Sequence, residues 1–283
     1  MNTKINRTLQ LALILTLISA WTLRAQEHDH EHAQVYEGGT AYYLAEHGDF
    51  GIGFKDGQLD LHIHLHTGTI VSGVPLEQDT VFDPGSLIIV ATEEAEIQRP
   101  EGDSWTFTGA AVNAPLWVLP QHETEGVPAF GLSTEEIDSH TLNNDEITFN
   151  LRFIRGPGAF SLWSDNAFGV PEYLLSTHEQ VLSTVLPTGL HAHFNWGFSQ
   201  PGTYTLVFEV TGNLTSGENT QALSIYTFLV TEHPICLQVL TGDLNQDGIV
   251  DEHDQAILQE NLGLTVPMWP AQDPNQEANH HHE

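Results

Sequence analysis

Histidines spaced two apart, and a run of oxygen donors near the C-terminus, are the side chains with the most chemistry to offer. Leu61-His-Ile-His-Leu-His66 and His191-Ala-His193 both repeat His-x-His. In an extended strand, residues i and i+2 point the same way. His62, His64 and His66 therefore share one face, and Leu61, Ile63 and Leu65 the other. His191 and His193 repeat the geometry, with Asn195 next on that face. Two such strands brought together, with His47 nearby, can offer three or four imidazoles to Zn²⁺ or another borderline cation. The spacing thus predicts one transition-metal site drawing at least three ligands from His47, His62, His64, His191 and His193, with His62 and His64 favoured on their strand. The competing reading is a solvated histidine face over an apolar core face.

The oxygen donors suit a harder ion. Asp243, Asn245, Asp247, Asp251 and Asp254 fall at positions 1, 3, 5, 9 and 12 of a twelve-residue loop. Gly248 occupies position 6, where such a loop turns sharply, and Ile249 at position 7 offers its backbone carbonyl. The set predicts a Ca²⁺ site, with Ile257 and Leu258 opening a helix behind it. An acidic turn ahead of a surface helix is the bland alternative.

What must position these residues is a β domain. Ile147, Phe149, Leu151 and Phe153 alternate with polar residues, and Tyr204, Leu206, Phe208 and Val210 repeat the pattern. Further strands are expected at 49–54, 58–66, 86–91, 159–163 and 221–231. Lys55-Asp56-Gly57, Asp83-Pro84-Gly85, Gly156-Pro157-Gly158 and Gln200-Pro201-Gly202 punctuate them. Short alternating runs without a long helical period indicate an all-β fold, an antiparallel β-sandwich, with a small EF-hand-like loop-helix segment at the C-terminus. Trp163, Trp196, Phe198, Tyr204 and Phe208 are expected in its core.

Ahead of the domain, Lys4 and Arg7 precede the apolar run Leu9–Trp21, and small Ala25 follows. That order predicts a secretory signal peptide over residues 1–25, because about thirteen apolar residues fall short of the ~20 that cross a bilayer. The acid- and His-rich stretch 26–33 reads as a solvated tail, followed by the β domain at 34–235 and the calcium-binding segment with a His-rich end at 240–283. His28, His30, His32 and His280–His282 can hold metal only loosely.

Four segments, in order, resemble the choice-of-anchor M domain: Glu46-His-Gly-Asp49 with the strand ending at His66, Ala114–Pro120, Gly156–Trp163 with Phe168-Gly169, and Leu190–Phe198 leading to Tyr204. The last, from Leu186 to about Val210, is similar to the repeat of actinobacterial surface-anchored proteins. The resemblance covers roughly residues 35–231. It implies a secreted or wall-associated bacterial protein, and members are often linked to ABC importers of metal ions. The sortase signal or membrane tail common in those members is not expected here. Asp at position 12 of the calcium loop resembles dockerin type I repeats. The second repeat expected of a dockerin is degenerate, since Ala278 stands where the glycine belongs.

The chain carries 38 acidic residues against seven basic, a net charge of −31. Losing Lys4, Arg7 and Arg24 with the signal would leave the excess larger still. Such a surface opposes binding to nucleic acid or anionic membranes, which relies on Lys and Arg, and favours cations. Cys236 is the lone cysteine, so no internal disulfide supports the fold. No nucleophile elbow, metalloprotease helix motif or phosphate loop is present, and an enzyme is not expected. The function expected is extracellular capture of a transition metal, with an importer's substrate-binding protein as partner. The alternative is an adhesion or scaffold module held through its dockerin-like tail by a cohesin or polysaccharide.

Overall fold

A computed structural model of the chain describes residues 33–233. After the two-residue strand β1 (Gln34–Val35), a long hairpin joins β2 (Ala41–Lys55) to β3 (Gln58–Leu65). Its two-residue loop, Asp56-Gly57, has φ of 53° and 82°, the left-handed pair that lets a tight turn follow the twist of its strands. Next along the chain come β4 (Ile70–Val71), β5 (Val74–Pro75), β6 (Thr80–Phe82), β7 (Leu87–Ala91), β8 (Glu96–Gln98) and β9 (Pro115–Leu119). They are followed by β10 (Pro128–Ser133), β11 (Glu146–Arg155), β12 (Phe160–Asp165), β13 (Pro171–Ser176) and β14 (Ser183–Pro187). The last are β15 (His191–His193), β16 (Asn195–Phe198), β17 (Gly202–Asn213) and β18 (Asn219–Val230).

The larger sheet runs β1-β6-β3-β2-β7-β18-β17-β11-β14, with β10 also on β2 and β15 on β10. The smaller runs β13-β12-β16-β9-β8. The all-β expectation holds, but pairing is not antiparallel throughout. β1 with β6, β2 with β7, β2 with β10 and β7 with β18 are parallel. Parallel neighbours require crossover connections, and the crossover from β7 to β10 carries β8 and β9 of the smaller sheet.

One aromatic core joins the two sheets. The Phe50 ring stacks on Tyr226 at 4.3 Å, meets Phe149 and Phe208 edge-on, and lies 6.3 Å from Trp196 of the smaller sheet. Trp163, Trp196, Phe198, Tyr204 and Phe208 are all buried, as their strand positions predict. Fully burying such a ring stabilises by about 1.5–3 kcal/mol. The Trp196 indole N–H donates to the Phe130 carbonyl at 2.7 Å, which ties the smaller sheet to β10.

Two departures from simple alternation stand out. Phe153, expected on one face with Ile147, Phe149 and Leu151, is exposed, because a bulge between Leu151 and Phe153 shifts the register and turns Ile154 inward instead. Asn195 does not continue the His191–His193 face: it begins β16, in the other sheet. Its side chain bonds Gln121 and Asp165. The signal segment 1–25, nearly all of the 26–33 tail, and the Asp243–Asp254 loop within 240–283 lie outside the described residues.

Candidate metal centre

A parity switch in β2 creates the site. Before Glu46 the odd residues Ala41, Tyr43 and Ala45 face the core; after it the even residues Phe50 and Ile52 do. Glu46 itself has φ 72°, a left-handed backbone that costs a non-glycine residue about 1–2 kcal/mol. The Tyr43 hydroxyl steadies it by donating to the Glu46 carbonyl at 2.6 Å, and it also reaches the Ala129 carbonyl on β10 at 3.3 Å. Beyond the switch, His47, Asp49 and Gly51 occupy the face opposite the core.

Register then assembles the rest. Across the sheet, His64, Asp49, Gly131 and His193 form one row over β3, β2, β10 and β15. His62, Gly51, Ser133 and His191 form the next row. On β10 this face carries only Ala129, Gly131 and Ser133, so the central strand is a shallow trough between two histidine-bearing strands. A Cβ added at Gly131 would stand 2.1 Å from Asp49 Oδ1 and 3.2 Å from His193 Nε2. Thr134 fixes the approach to β15: its hydroxyl accepts from Leu190 N–H and donates to the Pro187 carbonyl.

Into this trough converge His47, Asp49, His191 and His193, each offering one ligand atom within 4.8 Å of the others. Asp49 is 2% exposed. Its carboxylate lies 3.5 Å from His47 Nε2 and 3.2 Å from His191 Nε2. A tetrahedral zinc with bonds of 2.0–2.1 Å sets its ligand atoms roughly 3.3 Å apart. The donor set of three imidazoles and one carboxylate therefore fits a borderline cation. His191 Nδ1 lies 3.0 Å from the Glu135 carboxylate, an outer partner of the kind that orients metal-binding imidazoles.

The charges follow from the geometry. Burial works against the Asp49 anion, but hydrogen bonds from His191, His47 and His66 prevail and hold its carboxyl well below the usual range. Its hydrogen bond to Asp49 lifts His191 to about 9 against the effect of burial. Burial, reinforced by His47 and His191, pushes His193 down to about 4. His193 is thus neutral at pH 7, the form that ligates metal.

The five histidines read from the sequence do not share one cluster. β3 stands three strand spacings of ~4.8 Å from β15, about 14 Å, too far for His62 or His64 to bind an ion held by His193. His64 faces His66 and Asp79 instead. His62 leans over Gly51 and bonds Asp60 and Glu136, each at 3.1 Å. Nor is the His62–His66 face solvated, since all three rings are nearly buried. Asp49 was absent from the sequence-derived set, although His47-x-Asp49 on a strand carries the same two-residue signal as His-x-His. Asp79, in the loop before β6, has no such signal. No protein-family model, curated protein or solved structure matches the chain.

Gly131→Ala is expected to preserve the fold but push Asp49 and His193 apart, weakening Zn²⁺ binding roughly 10–100-fold, as loss of a supporting partner does. Zinc titration against a chelator checks this, and an unchanged affinity would remove the trough from the account. A second expectation concerns the metal-free protein. Burial disfavours the His62 cation, yet Asp60 and Glu136 raise it to about 9. Its stabilising contribution is therefore complete below the unfolded value near 6.5 and is lost as pH rises through about 9. Urea unfolding in chelator should show His62→Gln less stable than wild type at pH 6, with the gap closing by pH 10.

Proposed function

We propose that the protein is a secreted or cell-surface bacterial module that captures a transition metal, with Zn²⁺ the best fit, and passes it to an importer's substrate-binding protein. The observation that carries the reading is the convergence of His47, Asp49, His191 and His193 in the β10 trough. Imidazole nitrogen selects zinc and its neighbours over Ca²⁺ and Mg²⁺, which take oxygen ligands. Beside the cluster opens a cleft of about 320 Å³ lined in part by Glu46, His47, His66 and Glu123. Its carboxylates attract cations, and the surplus of acids over the whole chain adds to that field. An ion reached from such a cleft suits exchangeable cargo. In this reading the two facing sheets form a β-sandwich that serves as a rigid frame. The Asp243–Asp254 loop holds a structural Ca²⁺ through Asp243, Asn245, Asp247, Ile249, Asp251 and Asp254.

Two expectations test this. In the full chain, His191→Ala with His193→Ala should abolish the tightest Zn²⁺ step, a loss beyond the roughly 10–100-fold caused by removing an outer partner. Exposed His140→Ala should leave that step intact. Equal zinc affinities for the double variant and wild type, by chelator competition, would sink the reading. For calcium, Asp243→Ala with Asp247→Ala should eliminate uptake of about one ion by calorimetry, because each removes a charged ligand from a small cage. Undiminished uptake would exclude the loop.

A further inference from the structure

Beside the first cluster, and sharing a partner with it, lies a second group of side chains. His64, His66 and Asp79 each offer one ligand atom within 4.8 Å of the other two. The two imidazoles are adjacent on one face of the β3 strand line, with ring centroids 4.7 Å apart. Both residues are nearly buried, at 2% and 8% exposure. Thr67 fixes one oxygen of the Asp79 carboxylate. This Oδ1 accepts from the Thr67 N–H and the Thr67 hydroxyl, both at 2.8 Å. That leaves Oδ2 turned toward His64 Nε2 at 3.5 Å and His66 Nδ1 at 3.4 Å.

We propose that His64, His66 and Asp79 form a second site for a borderline divalent cation, coupled to the first through Asp49. Two nitrogens and one carboxylate oxygen leave a fourth position for water, as in zinc sites that exchange their outer ligand. His66 is the link. With Nδ1 on the second ion, its Nε2 remains 3.1 Å from Asp49 Oδ2, while Asp49 Oδ1 faces His191. A carboxylate behind a metal-bound imidazole orients the ring and raises its basicity. Asp49 thus plays two parts, ligand to one ion and support for a ligand of the other. Once the first ion draws charge from Asp49, His66 becomes a poorer ligand, and the two cations also repel. This coupling weakens whichever ion binds second, and with three protein ligands against four the second site fills after the first and more weakly. His47 of the first site and His66 of the second line the same cleft, so both are reached from one side.

The second site stands on its own residues; only the coupling rests on the function proposed above. The test titrates Zn²⁺ into the full chain against a chromophoric chelator, comparing wild type, Asp79→Asn, and His191→Ala with His193→Ala. The tail histidines are common to all three proteins and cancel in the differences. In Asp79→Asn the amide oxygen keeps the Thr67 bonds, while the NH₂ group faces the cation position. We expect one fewer zinc equivalent, or a weaker step reduced more than roughly tenfold, with the tightest step unchanged. Circular dichroism monitors the fold. Should Asp79→Asn disturb it, Thr67→Val, which frees Asp79 by one hydrogen bond, replaces it with the same expectation. Superimposable titrations of this variant and wild type would overturn the second site, as would loss of both steps in a folded variant, which would mean a single site. If His191→Ala with His193→Ala keeps the tightest step, the first-site reading and the coupling fall, and the Asp79 comparison alone judges the second site.

Discussion

A carboxylate almost sealed from water is the constraint around which this face of the protein is arranged. Stripping hydration from an anion such as Asp49 costs several kcal/mol even in a relaxed protein interior, and only positive or hydrogen-bonding neighbours offset it. His47, His66 and His191 all turn toward it. Gly131 leaves the space its oxygen occupies, and the left-handed residue Glu46 sets the side of β2 on which it emerges. Replace any of these and the charge is either stranded or displaced. A bound cation meets the same demand more completely than imidazole hydrogen bonds do, because it adds formal positive charge where the carboxylate already points.

The sheet pays for this concentration of polar groups by keeping the aromatic core on its other side. Phe50 and Asp49 are adjacent in sequence, yet one sits among five rings and the other among histidines. Strand alternation alone achieves that separation, so the rigidity of the core is transmitted to the ligands through single backbone steps. A geometry that could hold a metal belongs on strands rather than loops, since a shift of an ångström would spoil coordination.

Much of this was legible in the sequence and some was not. Alternation exposed the strands at Tyr204–Val210 and the buried aromatics, because a half-buried strand must alternate. It also identified His191 and His193 as a pair on one side. It could not foresee the bulge that turns Phe153 outward, since an inserted residue leaves no compositional trace. Nor could it tell which histidines come together. That depends on strand order: β10 separates β2 from β15, while β3 lies on the far edge of β2. The grouping of His47 with His193, and of His64 with Asp79, follows from this order rather than from spacing along the chain.

The parallel pairing of β2 with β10 carries a consequence for the life of the chain. It joins His47 to Ala129, and the first cluster is complete only when His191 and His193 arrive from later still. Contacts so distant in sequence form slowly, because loop closure precedes any gain from the contact. Until then the histidines are scattered single ligands with little selectivity. An ion held there would consequently be a certificate of completed folding, and by mass action it would favour the folded form that alone could hold it.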